Sequence, residues 1–285
     1  MTTDPGGIHW RKRARPDGPE PVSGARSPFG HVMGAEFRQL PSARRRRVHS
    51  LGIIATALAV VLVACAPTKP PPPPPPQCPG CKVYLTFDDG PGVYTPQILS
   101  VLEAKAAPAT FFVLGEHAVQ FPSSVQRASA DGNGIGDHTW DHPDLTTLPP
   151  DQIRQQLEST AVEIANLTGA RPTLWRPPFG SFNDLVTSIA SSLGLSMRLW
   201  DVDPADFSMP GTDVIVSRVV DNVRDGAIVL LHDGSPDGSG DRSQTVAALP
   251  TIIDTLRARG FEFGALSTPA GPVGPTGPDV AISRE

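Results

Sequence analysis

Two histidines four residues apart, His138 and His142, are the first groups in this sequence that suggest metal chemistry. On a helical turn, side chains at i and i+4 share a face, with Cβ atoms about 5–6 Å apart. Both imidazoles can then bind one ion at about 2.0–2.1 Å, and a carboxylate would complete a three-ligand site with an open position. Two histidines at this spacing more often lie on a surface loop than bind a metal ion. The metal hypothesis therefore depends on finding that carboxylate.

Two adjacent carboxylates, Asp88 and Asp89, end an apolar run and are followed by Gly90. Gly90 allows a sharp turn, since glycine readily adopts positive φ. One carboxylate can bind an ion while its neighbour faces the attacking water. Taken alone, Asp-Gly is also typical of an ordinary turn, so the pair becomes informative only with other reactive groups beside it.

Alternating strand and helix signals run from residue 82 to residue 267. Short apolar runs predict strands at 83–87, 110–114, 173–175, 197–200, 228–232 and 261–265. Helical spacing predicts helices at 96–104, 119–130, 150–167, 184–193, 214–223 and 245–259. This alternation predicts an α/β domain with a largely parallel sheet, either open or rolled into a barrel.

Ionisable residues cluster at the carboxyl ends of the predicted strands, which is where such folds place their functional sites. In chain order, the groups that follow these strands or the short segment at Ile135 are Asp88 and Asp89, His138 and His142, Arg176, Asp203 and Asp206, and His232 and Asp233. Five groups delivered to one rim indicate a reactive site.

Five short motifs carry these residues. They are Thr86-Phe87-Asp88-Asp89-Gly90, His138-Thr139-Trp140-Asp141-His142, Arg176-Pro177-Pro178-Phe179-Gly180, Asp203-Pro204-Ala205-Asp206-Phe207 and Leu230-Leu231-His232-Asp233. In this order they resemble the motifs of the polysaccharide deacetylase family, also called the NodB-homology domain or carbohydrate esterase family 4. Each is weak alone, but all five together make a chance match improbable. The resemblance implies a distorted (β/α) barrel with largely parallel strands.

The resemblance also implies a role for each matched residue. Asp89 would bind one divalent metal ion together with His138 and His142. That ion would be Zn²⁺, with Co²⁺ or another transition metal as the alternative. The remaining roles are Asp88 as general base, Arg176 holding Asp88, the backbone N–H of Phe179 binding the oxyanion, His232 as general acid oriented by Asp206 or Asp203, and Leu230 lining the pocket for the acetyl methyl group.

Two positions depart from the family pattern. The fourth motif usually ends in tryptophan, whereas this chain has Phe207, which would alter substrate packing or the surroundings of His232. The second motif usually follows asparagine or glycine, whereas here it follows Asp137. An extra carboxylate near the ion would change which metal the site prefers. Neither departure removes a catalytic atom.

The N-terminal region resembles a bacterial lipoprotein signal. Arg44 to Arg47 precede an apolar stretch at 51–64, which is too short to span a bilayer but matches a signal-peptide core. Leu62-Val63-Ala64-Cys65 resembles a lipobox, in which Cys65 is diacylated and becomes the new N-terminus. The alternative is a plain signal peptide or short signal anchor. In either case, the segment 1–43 is a disordered extension, or translation starts at Met33.

Two further cysteines, Cys78 and Cys81, lie at the end of a proline-rich linker predicted over 66–81. Outside the cytoplasm, a disulfide is the expected state of a C-x-x-C pair. In a cytosolic protein the same pair would indicate redox or metal work. A structural zinc site would need a second pair of ligands. We expect the catalytic domain to occupy 82–268 and a disordered tail to occupy 269–285.

The charge distribution limits the partners. The first 50 residues carry 10 basic and 4 acidic residues, whereas the rest of the chain carries 14 basic and 25 acidic residues. An acidic body argues against nucleic acid as a partner. The expected partners are an N-acetylated glycan and, through the lipid, the membrane, and we expect a monomer.

The expected activity is removal of N-acetyl groups from N-acetylglucosamine residues of a polysaccharide, with peptidoglycan as the first candidate because a short tether holds the enzyme beside the wall. One alternative is an O-acetyl esterase acting on xylan or another acetylated glycan. Another is a catalytically silent glycan-binding module, which retention of both aspartates and all three histidines opposes.

The lipoprotein hypothesis predicts that the mature protein begins at Cys65 and partitions with membranes. Cys65→Ser should release the protein or leave the precursor unprocessed, because the acylated sulfur is lost. Fractionation of cells and N-terminal mass measurement test this. Normal processing and membrane retention of the serine variant would contradict the hypothesis.

Overall fold

The computed structural model describes residues 77–266, along which seven strands and seven helices follow one another. The strands are β1 (Lys82–Gly90), β2 (Thr110–Val113), β3 (Gly134–Asp137), β4 (Leu174–Trp175), β5 (Ser196–Met197), β6 (Ala227–His232) and β7 (Glu262–Phe263). The helices are α1 (Thr95–Ala104), α2 (Gly115–Gln120), α3 (Pro122–Ala130), α4 (Pro150–Thr168), α5 (Asp184–Ser192), α6 (Thr212–Val220) and α7 (Ser243–Ala258). Short 3-10 turns lie at Leu145–Thr147, Pro178–Gly180 and Asp206–Ser208.

All strand pairings are parallel, in the order β5-β4-β3-β2-β1-β6, with β7 beside the start of β1. The chain after β5 returns to the other edge of the sheet, where Val202 forms a parallel bridge with Val229 of β6. The fold is thus a distorted (β/α) barrel, and the prediction of its class is confirmed. Its carboxyl strand ends meet at one rim.

Alternation along the strands separates a helix-facing core from the barrel interior. In β1, Val83, Leu85 and Phe87 are completely buried in the large apolar core. Their neighbours Thr86 and Asp88 lie on the opposite face, inside the barrel. Helix α7 packs its apolar face against the same core, with Leu249, Ile252, Ile253 and Leu256 all completely buried. The rim residues therefore stand on a rigid base.

Two predicted elements differ from the observed ones, and one observed strand was not predicted. The helix predicted over 119–130 is split into α2 and α3 at Phe121, because Pro122 has no N–H and begins a new helix. The strand predicted at 197–200 ends at Met197. Strand β3 was not predicted as a strand, because two glycines interrupt its apolar run. One of them, Gly136, is required for packing, since an added Cβ would lie 2.5 Å from the ring of Phe112.

The turn at Cys78–Cys81 contains a disulfide and packs on the end of the domain. The N–H of Cys78 donates to the carbonyl of Arg259 at 2.7 Å, and the N–H of Glu262 donates to the carbonyl of Cys81 at 2.7 Å. The predicted segments 1–43 and 44–65, the proline run and the tail at 269–285 lie outside the described residues, as does Cys65. Within residues 77–266, no helix has both the length and the apolar character that crossing a membrane requires.

Candidate functional site

Asp89, His138 and His142 converge at the rim of the barrel. The Nε2 atoms of both histidines lie 3.3 Å from Oδ1 of Asp89, and one donor atom from each of the three residues lies within 4.8 Å of the others. Asp89 comes from the end of β1, and the histidines come from the loop after β3. Two imidazoles and one carboxylate are a typical ligand set for a catalytic metal ion.

The surroundings of these atoms fit a cation. Oδ1 of Asp89 is buried and has no hydrogen-bond partner, which is unfavourable for a carboxylate unless a positive charge compensates it. Nδ1 of His138 lies 2.8 Å from the carbonyl oxygen of Arg176. Since a carbonyl only accepts, Nδ1 donates this hydrogen bond, and Nε2 is the ring nitrogen that faces Asp89. Such an outer hydrogen bond typically orients a metal-binding histidine.

The protonation states of Asp89 and His142 agree with this arrangement, whereas for His138 burial is outweighed by the carboxylates of Asp88 and Asp89, which raise the pKa. Burial by itself would raise the pKa of Asp89, but His138, His232 and His142 outweigh it and lower the pKa to about 2. Burial, followed by the neighbouring charge of His138, lowers the pKa of His142 to about 4. At neutral pH, Asp89 is therefore ionised and His142 is neutral, which are the forms that bind a metal ion.

The two histidines share a loop rather than the helical turn that their spacing suggested. Thr139 and His142 both have positive φ, at 75° and 64°, which a helix does not contain. The side chain of Asp137 accepts the N–H of Thr139 at 2.8 Å, and the hydroxyl of Thr139 accepts the N–H of His142 at 3.1 Å. The imidazole rings still meet, with centroids 5.0 Å apart.

Asp88 is held beside the candidate metal site by Arg176. Nη1 of Arg176 lies 2.7 Å from Oδ1 of Asp88, and both side chains are buried. The other carboxylate oxygen lies 3.8 Å from Nε2 of His138. Arg176 is itself immobilised, since its guanidinium lies over the ring of Phe112, with 4.1 Å between its Cζ and the ring centroid, and faces Trp200 on another side. One oxygen of Asp88 is thus occupied, and the other faces the site.

His232 is paired with Asp206 and not with Asp203. Nδ1 of His232 lies 2.7 Å from Oδ1 of Asp206, which is completely buried. Burial opposes the charged imidazole, but Asp206 outweighs it and raises the pKa of His232 to about 9. Asp203 instead accepts the N–H of Ala205 at 2.7 Å. Of the two residues predicted to orient His232, the structure therefore brings only Asp206 into contact with it.

Two exposed phenylalanines flank this centre. Phe179 has a positive φ of 59° and is 65% exposed, and its ring packs edge-on against His142 at 4.6 Å. Phe207 is 54% exposed and packs edge-on against His232 at 5.6 Å. Leu230 is buried two residues before His232 and so lies on the same face of β6. Each predicted substrate-contacting residue is thus near one of the reactive imidazoles.

Asp137 does not join the ligands. Along β3 its side chain lies on the helix-facing side, opposite to His138. Burial raises its pKa well above the usual range, and besides His138 the charges that influence it are Glu158 of α4 and Arg171. Asp137 is therefore not among the candidate ligands, and its effect on the metal preference stays a prediction.

His117, which sequence reasoning missed, and Asp233, to which it gave no role, support the turn that carries the candidate ligand Asp89. Nδ1 of the buried His117 donates to the carbonyl of Asp89 at 2.9 Å and so holds its positive-φ backbone, at φ 67°. The carboxyl group of the buried Asp233 packs so closely on Gly90 that any Cβ there would lie 2.1 Å from it. No local spacing signals His117, because its partner is 28 positions away in the chain.

Comparison with known proteins agrees with the motifs and the fold. The polysaccharide deacetylase family model matches residues 77–198. The chitooligosaccharide deacetylase of Bradyrhizobium sp. (strain ANU 289) is 40% identical over 193 residues, which cover 65% of this chain and 88% of that protein. The family 4 carbohydrate esterase from Streptomyces lividans, solved in complex with acetate, superposes with a TM-score of 0.62 at 34% identity and covers 67% of this chain and 95% of that chain.

The peptidoglycan-N-acetylglucosamine deacetylase PgdA of Listeria monocytogenes is 36% identical over 183 residues, which are 64% of this chain but 37% of that longer protein. At the rim of this barrel, two histidines and a carboxylate lie beside an Asp-Arg pair and a His-Asp pair. This arrangement is typical of a class of metal-dependent hydrolases. The chain belongs to the polysaccharide deacetylase family.

The ligand assignment predicts that His138→Ala and His142→Ala each lose metal affinity by at least about 100-fold, because outer partners alone contribute about 10–100-fold. Elemental analysis after dialysis against buffered Zn²⁺ measures the occupancy. His232→Ala is the matched control and should keep its metal, since it lies outside the ligand set. Full occupancy in either ligand variant would refute the assignment.

Proposed function

We propose that this protein is a metal-dependent N-deacetylase of glycans that contain N-acetylglucosamine. The observation that carries this proposal is the juxtaposition of three functional units at one rim. They are the Asp89–His138–His142 triad, the carboxylate of Asp88 held by Arg176, and the imidazole of His232 held by Asp206. Amide hydrolysis needs a proton acceptor for water, stabilisation of an oxyanion and a proton donor for the leaving nitrogen. Asp88 would be the acceptor, an ion held by the triad would stabilise the oxyanion, and His232 would be the donor.

The metal ligands would be Asp89, His138 and His142. We favour Zn²⁺, with Co²⁺ as the alternative, because a two-imidazole, one-carboxylate set with an open position suits these ions. When bound, the ion would supply Lewis acidity to the scissile amide and to the attacking water.

Asp88 would accept the proton from water. Arg176 occupies Oδ1 of Asp88, so the lone pairs of Oδ2 remain for the proton that water loses. A buried and hydrogen-bonded guanidinium fixes the direction of this carboxylate, and a base must be placed within hydrogen-bond reach of the proton it takes. Arg176 acts here by positioning Asp88 and does not contact the substrate.

His232 would donate the proton to the departing nitrogen. Its pKa of about 9 keeps the imidazole protonated at neutral pH. Because Nδ1 is bound to Asp206, Nε2–H is the group available to the substrate. The backbone N–H of Phe179 would be the oxyanion donor, since a fixed backbone dipole is most effective where charge develops. Leu230 and Phe207 would contact the acetyl group and the sugar.

Two glycan classes are candidate substrates. The named activities of the relatives are deacetylation of chitooligosaccharides and of peptidoglycan N-acetylglucosamine. We favour peptidoglycan, because a lipid-anchored Cys65 would hold the enzyme outside the membrane and beside the wall. Chitin oligosaccharides are the alternative, and their reaction chemistry is the same.

Mass spectrometry of purified glycans tests the function. Incubation with muropeptides and with chitin oligosaccharides should yield products that have lost one acetyl unit and gained a primary amine, and the faster substrate identifies the glycan class. Acetate release from acetylated xylan, with no amine formed from the muropeptides or chitin oligosaccharides, would favour the O-acetyl esterase. Binding of intact glycan with no change in mass would favour the silent module.

The assigned proton transfers predict a dependence on the leaving group. Asp88→Asn should keep its metal and lose nearly all turnover on every substrate. His232→Ala should lose about 10²–10⁴-fold on the N-acetyl glycan, the usual range for general acid catalysis. Hydrolysis of an aryl acetate should survive far better, because that group departs without a proton. Equal loss of both activities in His232→Ala, at equal metal content, would exclude the acid role.

The His232–Asp206 pair also predicts a pH dependence. Asp206 raises the pKa of His232, so the acid form is present below that pKa and activity falls as pH rises through it. Asp206→Asn should move the alkaline limb of the kcat profile to lower pH by more than about one unit. Asp203→Asn is the matched control and should leave the limb in place. A shift in the control but not in Asp206→Asn would reverse the assignment.

A further inference from the structure

Thr245, in the first turn of α7, forms an unusual hydrogen bond. Threonine hydroxyls inside helices commonly bond to a carbonyl of the preceding turn. The buried hydroxyl of Thr245 instead donates to Oδ2 of Asp206 at 2.7 Å, across 39 positions of the chain. Thr245 is 1% exposed, so water does not replace this donor readily.

The first turn of α7 also binds the two segments that carry Asp206 and His232. The side-chain carbonyl of Gln244 accepts the N–H of Gly211 at 2.7 Å, just beyond the turn that carries Asp206. Nε of the buried Arg242 donates to the carbonyl of Gly234 at 2.8 Å, two residues after His232. The start of α7 is thus bound to the two loops that supply Asp206 and His232.

We propose that Thr245 is a positioning residue for the proton donor, an inference that rests on the proposed function. Oδ1 of Asp206 accepts from Nδ1 of His232, while Oδ2 accepts from the backbone N–H of His232 at 2.9 Å and from the hydroxyl of Thr245. The three donors together set the plane of the carboxylate. That plane sets the direction of the imidazole, and therefore of its Nε2–H.

The hydroxyl, rather than the bulk of Thr245, has this effect. An aspartate rotates easily about its last side-chain torsion, which is broad and two-fold. Without the hydroxyl, Oδ2 keeps only the backbone donor, which belongs to the residue being positioned. Thr245 does not touch the reacting atoms, so its influence reaches the substrate only through Asp206 and His232.

The test compares Thr245→Val, which removes the hydroxyl at similar volume, with Thr245→Ser, which keeps it. Thr168→Val is the control, since this hydroxyl donates to Ile164 of its own helix. Thr245→Val should lower kcat on N-acetyl chitin oligosaccharides by about 10–100-fold, a part of the range for a general acid. KM, zinc content and aryl acetate hydrolysis should each stay within about threefold, and Thr245→Ser should recover most of the activity.

Proton NMR gives a readout that needs no turnover. The Nδ1 proton shared by His232 and Asp206 should appear downfield, identified by its loss in His232→Ala. It should shift or broaden in Thr245→Val and be unchanged in Thr245→Ser and Thr168→Val. An unchanged resonance and unchanged amide turnover in Thr245→Val would overturn the inference, as would equal loss of amide and aryl acetate hydrolysis. Wild-type protein without amide activity would refute the proposed function, whereas the resonance would still decide the role of Thr245.

Discussion

The buried ion pair between Arg176 and Asp88 is the contact on which the rest of the site depends. Besides Asp88, the guanidinium donates to the hydroxyl of Thr86 and to the carbonyls of Arg198 and Leu199. The backbone carbonyl of Arg176 also accepts a hydrogen bond from Nδ1–H of His138. One residue therefore links the first strand, the loop that carries His138 and the chain that closes the barrel. Removing one partner of such a buried pair typically costs about 3–5 kcal/mol, because the other charge is left uncompensated.

Burial gives each reactive group a different charge state. Desolvation disfavours every charge at this rim, so a group stays ionised only where a specific partner outweighs it. Asp89 has such partners in the surrounding imidazoles, and His232 has one in Asp206. Asp233 accepts instead from the neutral hydroxyl of Thr95, and burial raises its pKa to about 7. The same rim thus holds an anion, a cation and a carboxyl group that is about half protonated at pH 7.

Sequence reasoning identified the residues that meet at this rim because the relevant signals are local. The pair Asp88–Asp89, the spacing of His138 and His142, and the apolar run before His232 are each confined to a few consecutive residues. Strand alternation then predicts which side chains share a face. Strand β3 was not predicted, because its two glycines interrupt the apolar pattern. Glycine is needed there for packing against a neighbouring strand. The ring of Phe112 leaves no room for a Cβ at Gly136.

The sequence by itself determined the family, the parallel α/β barrel and the residues that reach its rim, since motifs and periodicity are written along the chain. Only the tertiary structure decided that Asp206 rather than Asp203 pairs with His232, and that Asp137 faces away from the metal ligands. It alone revealed the contacts of His117 with Asp89 and of Thr245 with Asp206. These contacts join residues 28 and 39 positions apart. Their partners are set by the packing of whole helices and strands, which no short stretch of sequence specifies.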